Sequence, residues 1–323
     1  MVKNTQLPSD AVTRLLSKSS GPLGFGTGLL HSVKDKASAV RVLRQAQDEG
    51  VTYFDTARLY GEGRCEGMLG EAFSHMRDEV ILATKVGILP SARDLATRVK
   101  AKAAATLRRL PMLRPLIPEP PVQYPQFGVF DPARMQESFE TSLKQLRTDH
   151  VDLLLLHECT LEDVQRTEVL EFLDQMVRQG KARAYGVAPR AEDMLSIAAS
   201  CAPYGDVAQF DAALRSAFPP AGADTPPLIA THSCLGQRFR DRVVQLKTDD
   251  QLRDSWSSAL GREAGDPATI AQAFLAHAIQ QNPGGIVLFS TTQPDRLRTN
   301  LDAQALLNSP ETSAALAQLM AAE

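Results

Sequence analysis

Eight short β-rich runs, most of them followed by a helical stretch, predict an α/β fold built as one closed (β/α)8 barrel over residues 1–323. Two further observations support this fold class. Residues 151–156 are almost wholly apolar, as a parallel strand covered on both faces must be. Ionisable side chains stand directly behind the second, third and fourth runs (Asp55, Lys85, His157), where parallel α/β folds place their chemistry. Together these features describe a TIM barrel with long loops after the third and seventh strands.

The elements follow in order. Residues 1–20 are polar and read as a loose lead-in. Residues 21–30, GPLGFGTGLL, read as the first strand opening into a Gly-rich loop. A G-x-G-x-x-G dinucleotide fingerprint fails here, because its third position falls on Leu29 or His31. Val40, Leu43 and Ala46 give residues 36–49 an apolar helical stripe, which Gly50 stops. Residues 51–54 form the second strand, and a helix begins near Glu66 after a turn holding Tyr60, Gly61 and Gly63. The third strand, 79–85, ends in Lys85.

Residues 88–131 interrupt the rhythm. A basic helix over 91–110 is expected, then a segment with six prolines between Pro111 and Pro125. This insertion reads either as a solvated helix with a proline-stiffened loop or as a lid over substrate, walled by Tyr124, Phe127 and Phe130. Helix 133–148, strand 151–156, helix 161–179, strand 182–187 and helix 192–200 follow. Strand 206–209 precedes a stretch, 212–226, too short and proline-rich for a full helix. After strand 228–231 comes a long segment, 233–266, with one expected helix over 250–260 that carries Trp256. Helix 268–280, strand 285–288 and a helix from Pro294 complete the pattern.

Bulk composition narrows the function. A net charge of −3 gives no electrostatic reason to expect nucleic acid or an anionic membrane as partner. The longest apolar runs are too short to cross a bilayer. The N-terminus shows no basic-then-apolar signal pattern, so a cytoplasmic location is expected. Cys65, Cys159, Cys201 and Cys234 are scattered with no C-x-x-C pair, which argues against a metal site and a disulfide framework. Nothing in the sequence points to an oligomeric state.

The segments YFDTARLYG, ILATKVG and DLLLLHE, with Glu66, Leu69 and Gly70 behind the first, resemble the aldo-keto reductase family. Cys65 stands where that family has Ser. The resemblance spans residues 21–303 and implies a tetrad of Asp55, Tyr60, Lys85 and His157. Such a set suits carbonyl reduction, which needs a hydride at carbon and a proton at oxygen. A phenol is a natural acid, and a neighbouring ammonium is expected to lower its ordinary pKa of about 10. Asp55 would hold Lys85, and His157 would orient the carbonyl oxygen beside Tyr60. Taken singly, each residue has a plainer reading, as a packed ring, a turn cap, a core histidine or a snorkelling lysine.

The resemblance also implies an NADP(H) cofactor, in preference to NADH, and a small carbonyl compound as substrate. Cofactor contacts are implied at Thr27, Asp55, Gln209, His232, Ser233, Ser290, Thr291, Arg296 and Asn300. Arg296 near a helix N-terminus would take the 2′-phosphate. The departures are the 88–131 insertion, Ala188-Pro189 in place of a Ser-Asn pair and the short 212–226 region, and Ser290 stands where the family frequently has Lys. Phe130, Trp256 and the insertion aromatics suggest a bulky apolar substrate. Two other readings compete with reduction. Lys85 could form a Schiff base, against which Asp55 argues. Alternatively the chain could be a cofactor-binding regulatory subunit with little turnover.

Overall fold

The structure is a computed structural model that describes residues 12, 15, 17–91, 124–200, 205–217 and 228–321. Its centre is a closed parallel barrel in sequence order. The strands are β1 (Leu23–Gly26), β2 (Tyr53–Asp55), β3 (Ile81–Val86), β4 (Val151–His157), β5 (Ala182–Ala188), β6 (Val207–Asp211), β7 (Leu228–His232) and β8 (Ile286–Phe289). Closure is through β1, whose Gly24 registers with Leu288 of β8 and whose Phe25 registers with Phe54 of β2.

Around the barrel lie α1 (Lys36–Asp48), α2 (Arg64–Phe73), α3 (Pro132–Leu146), α4 (Leu161–Gln165), α5 (Thr167–Arg178) and α6 (Ala191–Ala199). They continue as α7 (Gln237–Thr248), α8 (Asp250–Leu260), α9 (Pro267–Gln281), α10 (Pro294–Leu301) and α11 (Pro310–Ala321). Side-chain caps start several of them. Asp35 accepts from the Ser38 amide, Asp131 from Arg134 and Asp249 from Leu252.

Successive strand residues point to opposite faces, so two cores form. Tyr53, Ile81, Leu153, Leu155, Val207 and Ile286 fill the lumen, while Phe54, Leu82, Leu154 and Val187 face the helices. Val12 and Leu15 are buried in the lumen cluster, so these two residues are not part of a loose lead-in, while residues 1–11 lie outside the described residues. An apolar ring at the barrel floor needs cover from water, and these two side chains supply it.

Four other expectations change. The helix expected over 161–179 breaks at Arg166, whose ψ of 120° is extended, into α4 and α5. The segment after β7 holds two helices, α7 and α8, rather than one. Trp256 is no pocket wall: with Leu246, Leu260 and Phe274 it fills a satellite core. Phe130 is likewise buried in the main core, against Gly87, whose φ of +112° a Cβ would strain. The insertion returns to the barrel there, through Val129 N–H to Gly87 O at 2.8 Å and a reciprocal Leu89–Gln126 pair. Tyr124 and Phe127 are exposed. The basic helix and most of the proline-rich stretch lie outside the described residues. Residues 212–214 form one 3-10 turn. No helix among the described residues is long and apolar enough to cross a membrane.

Candidate active site

The period of two along each strand builds the site. The alternation that sends Tyr53, Ile81 with Ala83, and Leu153 with Leu155 inward also turns Asp55, Lys85 and His157 into the lumen at its C-terminal mouth. Gln209 follows Val207 by two residues, and His232 follows Ala230 by two. The five side chains therefore share one face because of strand parity, a signal the sequence already carried.

Lys85 and Asp55 are both 2 % exposed and joined at 2.6 Å, and Lys85 Nζ also donates to the Thr56 carbonyl at 2.9 Å. The ammonium lies 5.2 Å from the centroid of the half-buried Tyr60 ring. His157 meets that ring edge-on, with centroids 5.9 Å apart and an interplanar angle of 87°. The structure thus brings all four tetrad residues together. Tyr60 owes its place to a tight turn in which Gly61, Glu62 and Gly63 have φ of 58°, 59° and 81°. A Cβ at Gly61 would crowd the His31 side chain, so this bend needs glycine there.

Burial dominates the electrostatics. It pushes the Tyr60 phenol up. Lys85 pulls it back down, Asp55 adds to the rise, and the net direction is above 10.0. The expectation of a lowered phenol pKa is thus corrected: desolvation outweighs the ammonium. Burial opposes the Lys85 charge, but Asp55 and then Tyr60 more than offset this, and its pKa is raised. Burial, with the charge of Lys85, drives His157 down to about 3, so its imidazole is neutral at neutral pH. His232 is also lowered by burial.

A cleft of about 350 Å³ opens over this cluster, lined by Asp55, Tyr60, Gln209, His232, Ser233 and Ser290, among others. Gln209 Oε1 is buried with no hydrogen-bond partner. His232 Nδ1 lies 2.8 Å from Ser233 Oγ. Ser290 donates to the Gly26 carbonyl at 2.6 Å, tying β8 to β1.

The remaining expected contacts are not in the lining. Thr27 is fully buried, and its hydroxyl is spent on the Asp55 carbonyl at 3.0 Å. Thr291 bonds Gln293 at the start of α10. Arg296 is exposed on α10 and Asn300 is buried there. Ala188 closes β5 with an apolar wall. Leu29, Leu235 and Gly236, which no sequence expectation names, also line the cleft. Gly236 could have been found, since S-C-L-G behind a strand is a turn signal, and its N–H does donate to Ser233 O at 2.8 Å.

The chain is 29% identical over 164 residues to "Uncharacterized oxidoreductase YqkF" of Bacillus subtilis (strain 168), covering 50% of this chain and 43% of that protein. It is 30% identical over 172 residues to "Aldo-keto reductase YhdN" of the same organism, covering 51% and 42%. The chain therefore spans less than half the length of these two relatives. Among solved structures, an aldo-keto reductase from Klebsiella pneumoniae in complex with NADPH superposes with a TM-score of 0.64 at 22% identity, covering 92% of this chain and 90% of that one. The Aldo/keto reductase family model matches residues 22–208, more than half the chain. By that match, and by the barrel it predicts and the structure contains, the chain belongs to the aldo/keto reductase family.

Proposed function

We propose that this chain is one domain that reduces an aldehyde or ketone with NADPH, reversibly, and that Tyr60 is the general acid. The observation that carries the reading is the buried Lys85–Asp55 pair at 2.6 Å beneath the Tyr60 ring, with a neutral His157 beside it. A bound nicotinamide cofactor supplies the hydride. The protein supplies the rest. Tyr60, protonated at neutral pH, donates its proton to the carbonyl oxygen. Lys85, permanently charged in its pair with Asp55, stabilises the phenolate left behind. Neutral His157 keeps an N–H free to donate to the same oxygen. The raised phenol pKa favours this order, because the acid holds its proton until charge develops on the substrate.

The cofactor reading has its own support. A carboxamide brings an N–H₂ donor, and Gln209 Oε1 is a buried acceptor without a partner at the cleft floor. His232 and Ser233 would wall the same end, and Arg296 would meet the 2′-phosphate. The Klebsiella pneumoniae relative was solved with NADPH. Ala188 and Pro189 can supply no polar side chain, and this favours a second reading in which cofactor binding serves regulation and turnover is slight. A Schiff base on Lys85 fits poorly, since it needs a neutral amine and this one is paired and raised.

The test is loss of NADPH absorbance with a panel of aromatic aldehydes, ketones and quinones, run on wild type and Tyr60→Phe. Turnover that falls by about 10²–10⁴ in Tyr60→Phe, with NADPH still bound, is the expected result. Equal turnover in both sinks the assignment of the acid. No turnover in either, with NADPH bound, transfers the weight to the regulatory reading.

A further inference from the structure

We propose that Glu66 and Arg58 form a positioning pair that fixes Tyr60 against Lys85. The inference rests on the reading of Tyr60 as the acid. Glu66 is fully buried on α2, on the helix side of the barrel wall. Its Oε1 accepts from Thr84 Oγ1 at 2.8 Å, and its Oε2 lies 3.5 Å from Arg58 Nη1. Thr84 immediately precedes Lys85 on β3, and Arg58 precedes Tyr60 by two residues. One carboxylate therefore faces both segments that carry the ammonium and the phenol, through a hydrogen bond from Thr84 and a longer charge contact to Arg58 that leaves Oε2 without a hydrogen bond.

The turn after Tyr60 closes on the same guanidinium. A Cβ at Gly63 would run into the Arg58 Nη1, and Gly63 has φ of +81°. Tyr60 is thus bracketed by Arg58 on one side and by a glycine moulded to Arg58 on the other. Stability gives no account of this arrangement. Burial pushes the Glu66 carboxyl up, and the Ser142 and Thr84 hydroxyls and the Arg58 charge only partly hold it down. A buried ion pair seldom stabilises a fold more than apolar residues of the same volume, and its attested use is to select one geometry. Here the selected geometry is the 5.2 Å approach of Lys85 Nζ to the Tyr60 ring.

The experiment uses the full chain with NADPH and the aldehyde that wild type reduces best. Glu66→Gln, Arg58→Met and the double variant are compared with wild type and Tyr60→Phe for kcat, KM, NADPH Kd and melting temperature. Arg58→Met guards against a misfolded Glu66→Gln, because Glu66, already raised, can take up a proton when its partner is removed. Each single variant is expected to lose about ten- to hundredfold in kcat, the scale of a misplaced reacting group, with NADPH Kd unchanged within about twofold. The double variant is expected to lose no more than the worse single one, and Arg58→Lys to recover part of the loss. A purely structural pair would lower the melting temperature and leave kcat of the folded protein intact. That result, or a double loss equal to the product of the single losses, overturns the inference. If Tyr60→Phe alone loses turnover, the positioning role fails and the acid assignment stands. If Tyr60→Phe keeps wild-type turnover, or wild type has none, the underlying reading fails and the inference falls with it.

Discussion

His157 makes acid stability a direct probe of the site. Its ordinary pKa is 6.5, and burial with the Lys85 charge lowers it to about 3 in the folded chain. Between those values the unfolded chain binds a proton that the folded chain refuses. Protonation therefore favours unfolding: the contribution is fully present above pH 6.5 and is lost as pH falls toward 3. At about 1.36 kcal/mol per decade, the loss is roughly 2.7 kcal/mol near pH 4.5 and about 4–5 kcal/mol near pH 3. Set against a typical stability of about 5–15 kcal/mol, that is a large fraction. His157→Gln removes the titration and keeps a polar side chain at the same strand end. Urea-unfolding free energies of both proteins, at about pH 7 and about pH 4.5, isolate the imidazole's contribution. Asp206, which burial raises to about 6, works in the opposite direction but is common to both and cancels. The gap between wild type and variant is expected to move by roughly 2.5 kcal/mol in the variant's favour on acidification. Curves that stay parallel within about 0.5 kcal/mol would refute a buried, neutral His157, and with it the donor role proposed for that imidazole.

Three other outcomes are expected. Lys85→Met leaves the Asp55 carboxylate buried without its partner, which costs about 3–5 kcal/mol; urea unfolding measures this, and turnover should vanish in whatever remains folded. Gln209→Leu removes a buried acceptor that no protein group satisfies, so stability should hold while NADPH Kd, read by fluorescence titration, rises about tenfold. Gly186→Ala drives a Cβ into the Val207 carbonyl where β5 and β6 meet, and a loss of about 1–3 kcal/mol in urea unfolding is expected.

The sequence by itself determined the barrel, because its periodicities are local. Eight β-rich runs separated by helical stretches leave few topologies open, and the apolar β4 had to lie between two covered faces. The shared face of three expected site residues was legible there too. Asp55, Lys85 and His157 each end a strand, and strand parity alone puts them on one face with Gln209 and His232.

What the tertiary structure decided were competitions between distant groups. Phe130 and Trp256 could have lined a substrate pocket; the space beside Gly87 and the patch around Phe274 took them into cores instead. Thr27 could have faced the cleft; the Asp55 carbonyl, brought alongside by the β1–β2 pairing, claimed its hydroxyl. Val12 and Leu15 look unremarkable in a polar stretch until the open floor of the lumen requires apolar cover. The sign of the Tyr60 shift is likewise tertiary. The sequence shows an ammonium that should lower it, and only the folded site shows that loss of solvent around the phenol is the larger effect. Local pattern fixes which groups are present and which way each strand turns them; desolvation and the choice of partner depend on everything else packed around the same point.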